Sequence, residues 1–403
     1  MMTLSRSIYW LVLAFPVVLL ALKPLAMVIF AILSVLGLFI AIKERRNPFK
    51  IEKLKRFSWL TIGYFSVMLI SVLLSNEATN SWTHLSRISH FLFAPFFAVS
   101  LMRTNISIEV LTKSFKFGII IAGLITIIGF ILAGGVGRFS GMYNPNTFGD
   151  LAVMMLFFAI SNIINEDKKA YIFSLVAVFF GVTAVILSAS RGSMISLLLL
   201  LVLYIFLMYR VAKDHKKRIG IIILLFIVTV GINMYSMNNT FNRLGSIQAE
   251  VTQWEDTGKS NTSAGARLEM YNAGFKAFLD APLIGYGYHN CGTAAARYAS
   301  QEDAVQKDFE GRWHLHNAFM TTMVNAGLLG LLALIALYFI PLLLFIKRAS
   351  HSVYANMGIM LIVGYILLGV THTLFGYAYE TAFFVVMLAY ICNEISTKER
   401  TYV

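Results

Sequence analysis

Long apolar runs separated by short polar connections dominate the pattern of this chain. A helix needs about 17–25 mostly apolar residues to cross a bilayer, and runs of roughly that length recur from end to end. We therefore predict an all-α polytopic membrane protein with about twelve transmembrane helices. The runs cover residues 7–22, 24–42, 57–74, 89–102, 114–133, 148–164, 171–189, 193–209, 219–236, 318–346, 354–372 and 377–393.

One polar segment stands apart because it is much longer than the other connections. It separates the ninth run from the tenth, and we expect it to form a helical domain outside the bilayer. The predicted division is transmembrane helices 1–9 in residues 1–236, the outer domain in residues 237–317, and transmembrane helices 10–12 in residues 318–403.

Within the outer segment, the spacing of apolar residues predicts a helix over 264–280, which Ser263 would cap. Pro282 and the glycines that follow it would end this helix. A second short helix is expected at about 292–309.

The composition supports a membrane protein. The chain is 58% hydrophobic and 13% charged, whereas a soluble domain carries about 25% charged residues. The net charge of +13 could suggest nucleic acid, but the basic residues lie mostly in short connections between apolar runs. We therefore expect no nucleic-acid partner.

The basic connections also predict an orientation. With twelve spans, the connections at 43–56 and 210–218 and the basic pairs Lys168/Lys169 and Lys347/Arg348 all fall on one side. Because lysine and arginine concentrate in cytoplasmic connections, this side and both termini are predicted to be cytoplasmic. The first run lacks a small-residue cleavage pattern and is expected to be an uncleaved span. Residues 237–317 would then face outward.

The two cysteines, Cys291 and Cys392, have neither the CxxC spacing of a redox motif nor the spacing of a zinc site. We predict that they stay unpaired on opposite sides of the membrane. His314 and His316 could also ligate a metal, but no third ligand lies near them in the sequence and the carboxylates of the outer segment form no cluster, so we expect no metal.

Two outward-facing connections carry polar groups of interest. In the Ser188–Ser193 turn, Arg191 is either an interface anchor or a ligand-binding group, and Gly192 would let the backbone approach a ligand. In the loop 137–146, Arg138, Asn144 and Asn146 could contact a lipid headgroup or sugar. The alternative for this second loop is a plain connecting turn.

The outer segment contributes the remaining candidates. Arg267 lies near the start of the predicted helix, where it would either face solvent or bind phosphate oxygens. His314 and His316 open the tenth run next to Asn317, which could orient an imidazole. The N-terminal end of the following helix disfavours imidazolium, so a histidine there can accept a proton.

These motifs together resemble a known family. Their order and spacing, with the long outer segment between the ninth and tenth runs, are similar to the O-antigen ligases of Gram-negative bacteria. That superfamily also contains O-antigen polymerases and protein O-oligosaccharyltransferases. The residues that carry the resemblance are 137–146, 188–193, 264–271, 282–287 and 314–317.

The resemblance implies an enzyme of lipopolysaccharide biosynthesis in the bacterial inner membrane, with its active site facing the periplasm. Such ligases move O-antigen polysaccharide from undecaprenyl diphosphate to a sugar of the lipid A–core, without a cofactor or a required metal. The partners would be these two glycolipids and the surrounding membrane lipids. One displacement without a covalent intermediate would invert the anomeric configuration.

The family's motifs also imply residue roles. The catalytic roles fall on Arg191 and Arg267, which would bind the diphosphate, and on His316, which would be the base. His314 lies in the same motif, and which of the two histidines is the base stays open. Substrate-binding roles are expected for Arg138, Asn144, Asn146, His314 and Asn317.

Two other functions stay open. An O-antigen polymerase of the same superfamily would use a second carrier-linked glycan as its acceptor. A flippase or other lipid transporter would make no bond, but transporters usually carry ionisable groups or broken helices at the membrane midplane. Charge is nearly absent from the predicted spans, apart from His372 and Glu380 near the outer ends of the last two.

Overall fold

The computed structural model describes residues 2–75, 81–82, 84–211, 216–236, 246–258, 261–299, 309, 314–349 and 352–398. These ranges contain fifteen α-helices and no β-strand, so the all-α prediction is confirmed. The helices are α1 (Met2–Leu19), α2 (Lys23–Lys43), α3 (Glu52–Leu73), α4 (Ser89–Leu101), α5 (Ile108–Leu132), α6 (Pro145–Ala159), α7 (Lys168–Leu187), α8 (Arg191–Val211), α9 (Lys216–Ser236), α10 (Ile247–Thr257), α11 (Ser263–Asp280), α12 (Cys291–Ala296), α13 (Ala318–Ile346), α14 (Val353–Gly369) and α15 (Ala378–Lys398).

Each predicted apolar run coincides with one of the helices α1–α9 or α13–α15. In the described ranges, eight helices are long and apolar enough to cross a membrane: α2, α3, α5, α6, α7, α8, α13 and α15. The apolar helices α1, α4 and α14 are shorter. The chain is therefore a polytopic membrane protein, and the number of twelve spans stays a prediction.

Contacts between neighbouring helices and between helices that are distant along the chain together form the core. Helix α5 packs against α1, α6 and α7, and α15 packs against α3, α4 and α14. Small residues allow the closest approaches, as is common between membrane helices. At Gly37 in α2, a Cβ atom would lie 1.8 Å from the backbone oxygen of Phe96 in α4. Any larger residue would push these helices apart.

Helix α13 is broken near its middle. Ala326 and Gly327 leave helical geometry, and Gly327 has a φ of 61°, a value that glycine adopts without strain. The outer segment fills the break with its own backbone. The N–H of Tyr286 donates to Val324 O at 2.9 Å, and the N–H of Leu328 donates to Pro282 O at 2.7 Å. The Pro282–Gly287 motif therefore fastens the outer segment to α13.

The outer segment contains α10, α11 and α12, and α11 packs against each of the helices α10, α12 and α13. The predicted helix at 264–280 is present, but Thr262 is its cap, because the Thr262 side chain accepts from the N–H of Gly265 at 3.1 Å. The assignment of Ser263 as the cap was wrong by one residue. The short helix expected at 292–309 is described only as α12, and most of 300–309 lies outside the described residues.

The expectation that charge is nearly absent from the apolar runs was wrong. Lys116 in α5 is buried and donates to Glu166 at 2.6 Å. Asp150 in α6 is also buried, at 2% exposure. A single charge barely changes the mean hydropathy of a long apolar run, and a partner from another helix makes its burial tolerable.

Candidate active site

Several helix ends meet on one side of the helical bundle. The N-terminal ends of α6, α8 and α13 and the segment 370–377 between α14 and α15 contact one another there. The contacts include Ser193 to Asp150 at 2.6 Å, and Asn317 to the backbone oxygen of Val370 at 3.2 Å. Because helix N-termini present unpaired N–H groups and a positive dipole end, this arrangement favours an anionic ligand.

The His314–Asn317 loop leads directly into α13. Asn317 caps this helix, accepting from the N–H of Met320 at 3.0 Å, and its amide nitrogen donates to Val370 O. These two hydrogen bonds involve no imidazole, and the role of Asn317 in orienting one stays a prediction. They fix the start of α13 against the end of α14.

His316 has a φ of 50°, in the left-handed region that costs a residue with a Cβ atom free energy. The Tyr271 hydroxyl supports this backbone, lying 3.1 Å from His316 O and 3.2 Å from Val370 O. The rings of His314 and His316 are 4.4 Å apart, centre to centre. A strained backbone that a neighbouring element supports is common at functional sites, and this loop carries two adjacent imidazoles.

Arg191 is the first residue of α8, and its guanidinium forms a two-pronged pair with Glu250 of α10. The Nη2–Oε1 distance is 2.9 Å and the Nη1–Oε2 distance is 3.2 Å. The hydrogen bonds from Arg191 are the largest cause of a pKa of about 2 for Glu250. Gly192, expected to face a ligand, instead packs against Thr371, whose Oγ1 would lie 2.1 Å from an added Cβ atom.

Arg267 lies on α11, half-buried, and makes no hydrogen bond or ion pair with any described residue. Burial lowers its pKa, and the nearby charge of Arg191 lowers it further, whereas Tyr271, Asp150 and Glu250 raise it. Glu250, which pairs with Arg191, also accepts from the N–H of Ala264, three residues before Arg267, so the two predicted arginines lie in the same region. A pair of neighbouring guanidinium groups is a good site for a multiply charged anion such as a diphosphate.

Sequence reasoning missed a buried cluster beneath the histidines. The Nδ1 of His372 lies 2.8 Å from Asp150 Oδ2 and 3.4 Å from Glu380 Oε1, and all three side chains are buried. Since carboxylates accept, the imidazole donates from Nδ1. The available signal was the presence of ionisable groups in apolar helices, which by default indicates function. The sequence pattern singles out His372 and Glu380 but not Asp150.

The cluster adjoins the histidine pair. The ring centre of His372 is 6.3 Å from that of His314 and 5.0 Å from that of Tyr377. The ligand atoms of Asp150, His372 and Glu380 lie within 4.8 Å of one another, so these residues could hold a cation. In this structure the Nδ1 of His372 lies at hydrogen-bond distance from Asp150. The expectation of no metal stays a prediction.

The predicted substrate-binding loop 137–146 is tied together by its own polar groups. Arg138 donates to Asn146 Oδ1 at 2.8 Å and to Ser188 O at 3.2 Å. Asn144 caps α6 by accepting from the N–H of Asn146 at 2.9 Å. These residues connect the loop to the turn before Arg191, and a role in substrate binding stays a prediction for all three.

The fold and the site define a class: a polytopic membrane protein with a cationic, histidine-containing site at the ends of its helices. Residues 176–335 match the family model described as O-antigen ligase. This range contains the predicted catalytic residues Arg191, Arg267 and His316. Over this range the chain is therefore similar to the O-antigen ligase family, which its motifs also resemble.

Two relatives are similar over most of this chain. An uncharacterized protein of Haemophilus influenzae is 26% identical over 359 residues, which cover 83% of this chain and 85% of the relative. The ComP-specific O-oligosaccharyltransferase of Acinetobacter baylyi is 23% identical over 348 residues, which cover 84% of this chain and 57% of that relative. This chain thus spans little more than half the length of the second relative.

Proposed function

We propose that this protein is an O-antigen ligase of the bacterial inner membrane. It transfers O-antigen polysaccharide from undecaprenyl diphosphate to the lipid A–core, with its site facing the periplasm and both termini in the cytoplasm. The observation that carries this proposal is the way α11 connects the predicted site residues. This helix carries Arg267, it is linked to Arg191 through Glu250, and its Tyr271 bonds the strained His314–Asn317 loop. All of these residues lie inside the range that matches the ligase family.

The arginines serve the donor. Its leaving group is a diphosphate, which gains negative charge as its bond to the anomeric carbon breaks. Two guanidinium groups and the N-terminal end of α8 neutralise this charge at the place where it develops. The chemistry thus needs no metal ion, because fixed cationic groups do the same work.

The histidine pair serves the acceptor, which is a sugar hydroxyl and a weak nucleophile. His316 removes the hydroxyl proton as the oxygen attacks the anomeric carbon. The new carbon–oxygen bond forms as the bond to the diphosphate breaks, so its electron pair leaves with the phosphate. A single displacement inverts the anomeric centre, and the imidazole ends protonated, with His314 beside it.

The buried cluster of Asp150, His372 and Glu380 lies next to this site and supports it. The carboxylates of Asp150 and Glu380 lie 2.8 Å and 3.4 Å from the Nδ1 of His372. The His372 ring in turn lies next to the rings of Tyr377 and His314. The same 370–377 segment is bonded to the start of α13 through Thr373, which lies 3.0 Å from Thr321. These contacts keep the histidine loop in a fixed position relative to α6 and α8.

A transporter is the alternative from another class. A broken helix and buried ionisable groups are both present, and both features occur in transporters. However, the break in α13 is filled by hydrogen bonds from residues 282–287. The buried Lys116 is likewise paired with Glu166. A broken helix that lines a substrate path would keep its backbone groups for the substrate, so these features favour a structural role.

A deletion strain tests ligase against polymerase. Loss of a ligase leaves long polymer on the carrier lipid and a bare core, whereas loss of a polymerase leaves core that bears a single repeat unit. We expect the first pattern. The second pattern would assign the protein to the polymerases.

Transfer by purified protein tests whether a bond is made at all. The protein is incubated with carrier-linked O-antigen and either lipid A–core or a protein acceptor. A glycan–core product is expected. Product on the protein alone would make the enzyme an O-oligosaccharyltransferase, as the name of the Acinetobacter relative indicates for that protein. No product with any acceptor would favour a transporter.

A further inference from the structure

Glu250 is an outer-segment carboxylate that joins the two arginine-bearing helices. It accepts from both η nitrogens of Arg191, from the Ser246 hydroxyl at 2.7 Å and from the N–H of Ala264 at 3.0 Å. Ala264 lies in the first turn of α11, the helix that carries Arg267. One carboxylate therefore sets the position of Arg191 and the start of the helix of Arg267.

The pair with Glu250 uses one edge of the Arg191 guanidinium. An arginine offers five N–H donors along a planar fork. Glu250 occupies the edge formed by Nη1 and Nη2, and Ser246 accepts from Nη2 at a longer 3.4 Å. The Nε of Arg191 is buried and has no hydrogen-bond partner among the residues described here. A buried donor without a partner is costly and indicates that a ligand completes it.

We propose that Glu250 is a positioning residue that turns the Nε of Arg191 toward the donor diphosphate. The proposal rests on the proposed function and adds a residue to it. In this arrangement, Glu250 stays in place during the reaction. The diphosphate binds the remaining donors of Arg191 together with Arg267.

The alternative is that Glu250 occupies the phosphate position and leaves when the donor arrives. Its hydrogen bonds argue against this exchange. Departure would break four contacts at once and leave the N–H of Ala264 and the Ser246 hydroxyl to find new partners. The phosphate can bind at Nε without breaking any of them. The carboxylate also offsets the repulsion between the two guanidinium groups, since Glu250 raises the pKa of Arg267 whereas Arg191 lowers it.

Glu250→Gln keeps the shape of the side chain but removes its charge and one acceptor oxygen. If Glu250 positions Arg191, this substitution weakens binding of the donor lipid; if Glu250 occupies the phosphate position, it strengthens binding. We measure binding of undecaprenyl diphosphate to the purified full chain, and transfer as a function of donor and acceptor concentration. Positioning predicts about tenfold weaker lipid binding and a lower kcat/KM for the donor, with the acceptor KM unchanged. Glu255→Gln, an exposed position on the same helix, should match wild type. Binding by Glu250→Gln that equals or exceeds wild type would overturn the proposal.

A double-mutant cycle separates positioning from general damage to the fold. If Glu250 acts through Arg191, then Glu250→Gln should change lipid binding less than twofold in an Arg191→Lys background. Additive losses would show that Glu250 acts elsewhere and would refute the inference. Glu250→Asp should recover part of the loss. The binding assay does not depend on glycan transfer. A wild-type protein that binds the lipid but transfers no glycan would therefore refute the proposed function without refuting the role of Glu250.

Discussion

His316→Asn is the sharpest test of the proposed chemistry, because the structure shows why alanine is the poorer choice. His316 has a φ of 50°. Alanine in this region carries a penalty of about 1–2 kcal/mol, whereas asparagine adopts it more readily than most residues. The Tyr271 hydroxyl bonds the backbone oxygen of His316, so the substitution leaves that contact available. His316→Asn therefore removes the imidazole with little change in the backbone.

The expected effect is on turnover. Removal of a general base lowers the rate by about 10²–10⁴-fold, which corresponds to about 3–5 kcal/mol on the barrier. Binding of undecaprenyl diphosphate should stay within about twofold of wild type, since the arginines are untouched. His314→Asn, the neighbouring control, should be milder if His316 is the base. The readout is glycan transfer by purified protein with both lipid substrates, at saturating donor.

The pH profile gives a second readout. The wild-type rate should fall between about pH 7 and 5 as an imidazole protonates. Glu250 does not cause this fall, because its lowered pKa of about 2 keeps it ionised there, and its pair with Arg191 is lost only as the pH falls toward 2. A His316→Asn protein, shown to be folded and inserted, that turns over at the wild-type rate would refute the base assignment.

Four further outcomes are expected. Arg191→Lys keeps the charge but loses the planar fork that pairs with Glu250 at two points, so donor kcat/KM should drop at least tenfold; equal values would mean that charge alone suffices. Burial raises the pKa of the Cys291 thiol to about 12, so maleimide at pH 8 should not label it in the folded protein, and rapid labelling would contradict its burial. A chelator should leave transfer unchanged, and activity that is lost and then restored by one divalent ion would assign a metal to Asp150, His372 and Glu380. A reporter fused after Val403 should be active only as a cytoplasmic reporter; periplasmic activity would mean an odd number of spans.

The class of fold followed from the sequence. Every apolar run predicted from hydropathy coincides with a helix, and the helix around Arg267 differs from its prediction only at the cap. Hydropathy and helical periodicity depend on residues that are close in the sequence, so the sequence alone predicts the helices. The resemblance to the O-antigen ligase superfamily likewise rests on sequence motifs, among them those at 188–193 and 314–317.

The partners of the site residues depended on the tertiary structure. Asp150 contacts His372, which is 222 residues away in the sequence, and Arg191 contacts Glu250, which is 59 residues away. The break in α13 is filled by a segment that the sequence indicated only as a helix stop. Such contacts form between groups that no local pattern relates. In a membrane protein, a buried charge is tolerated only where the fold supplies its partner, and the sequence shows the charge but not the partner.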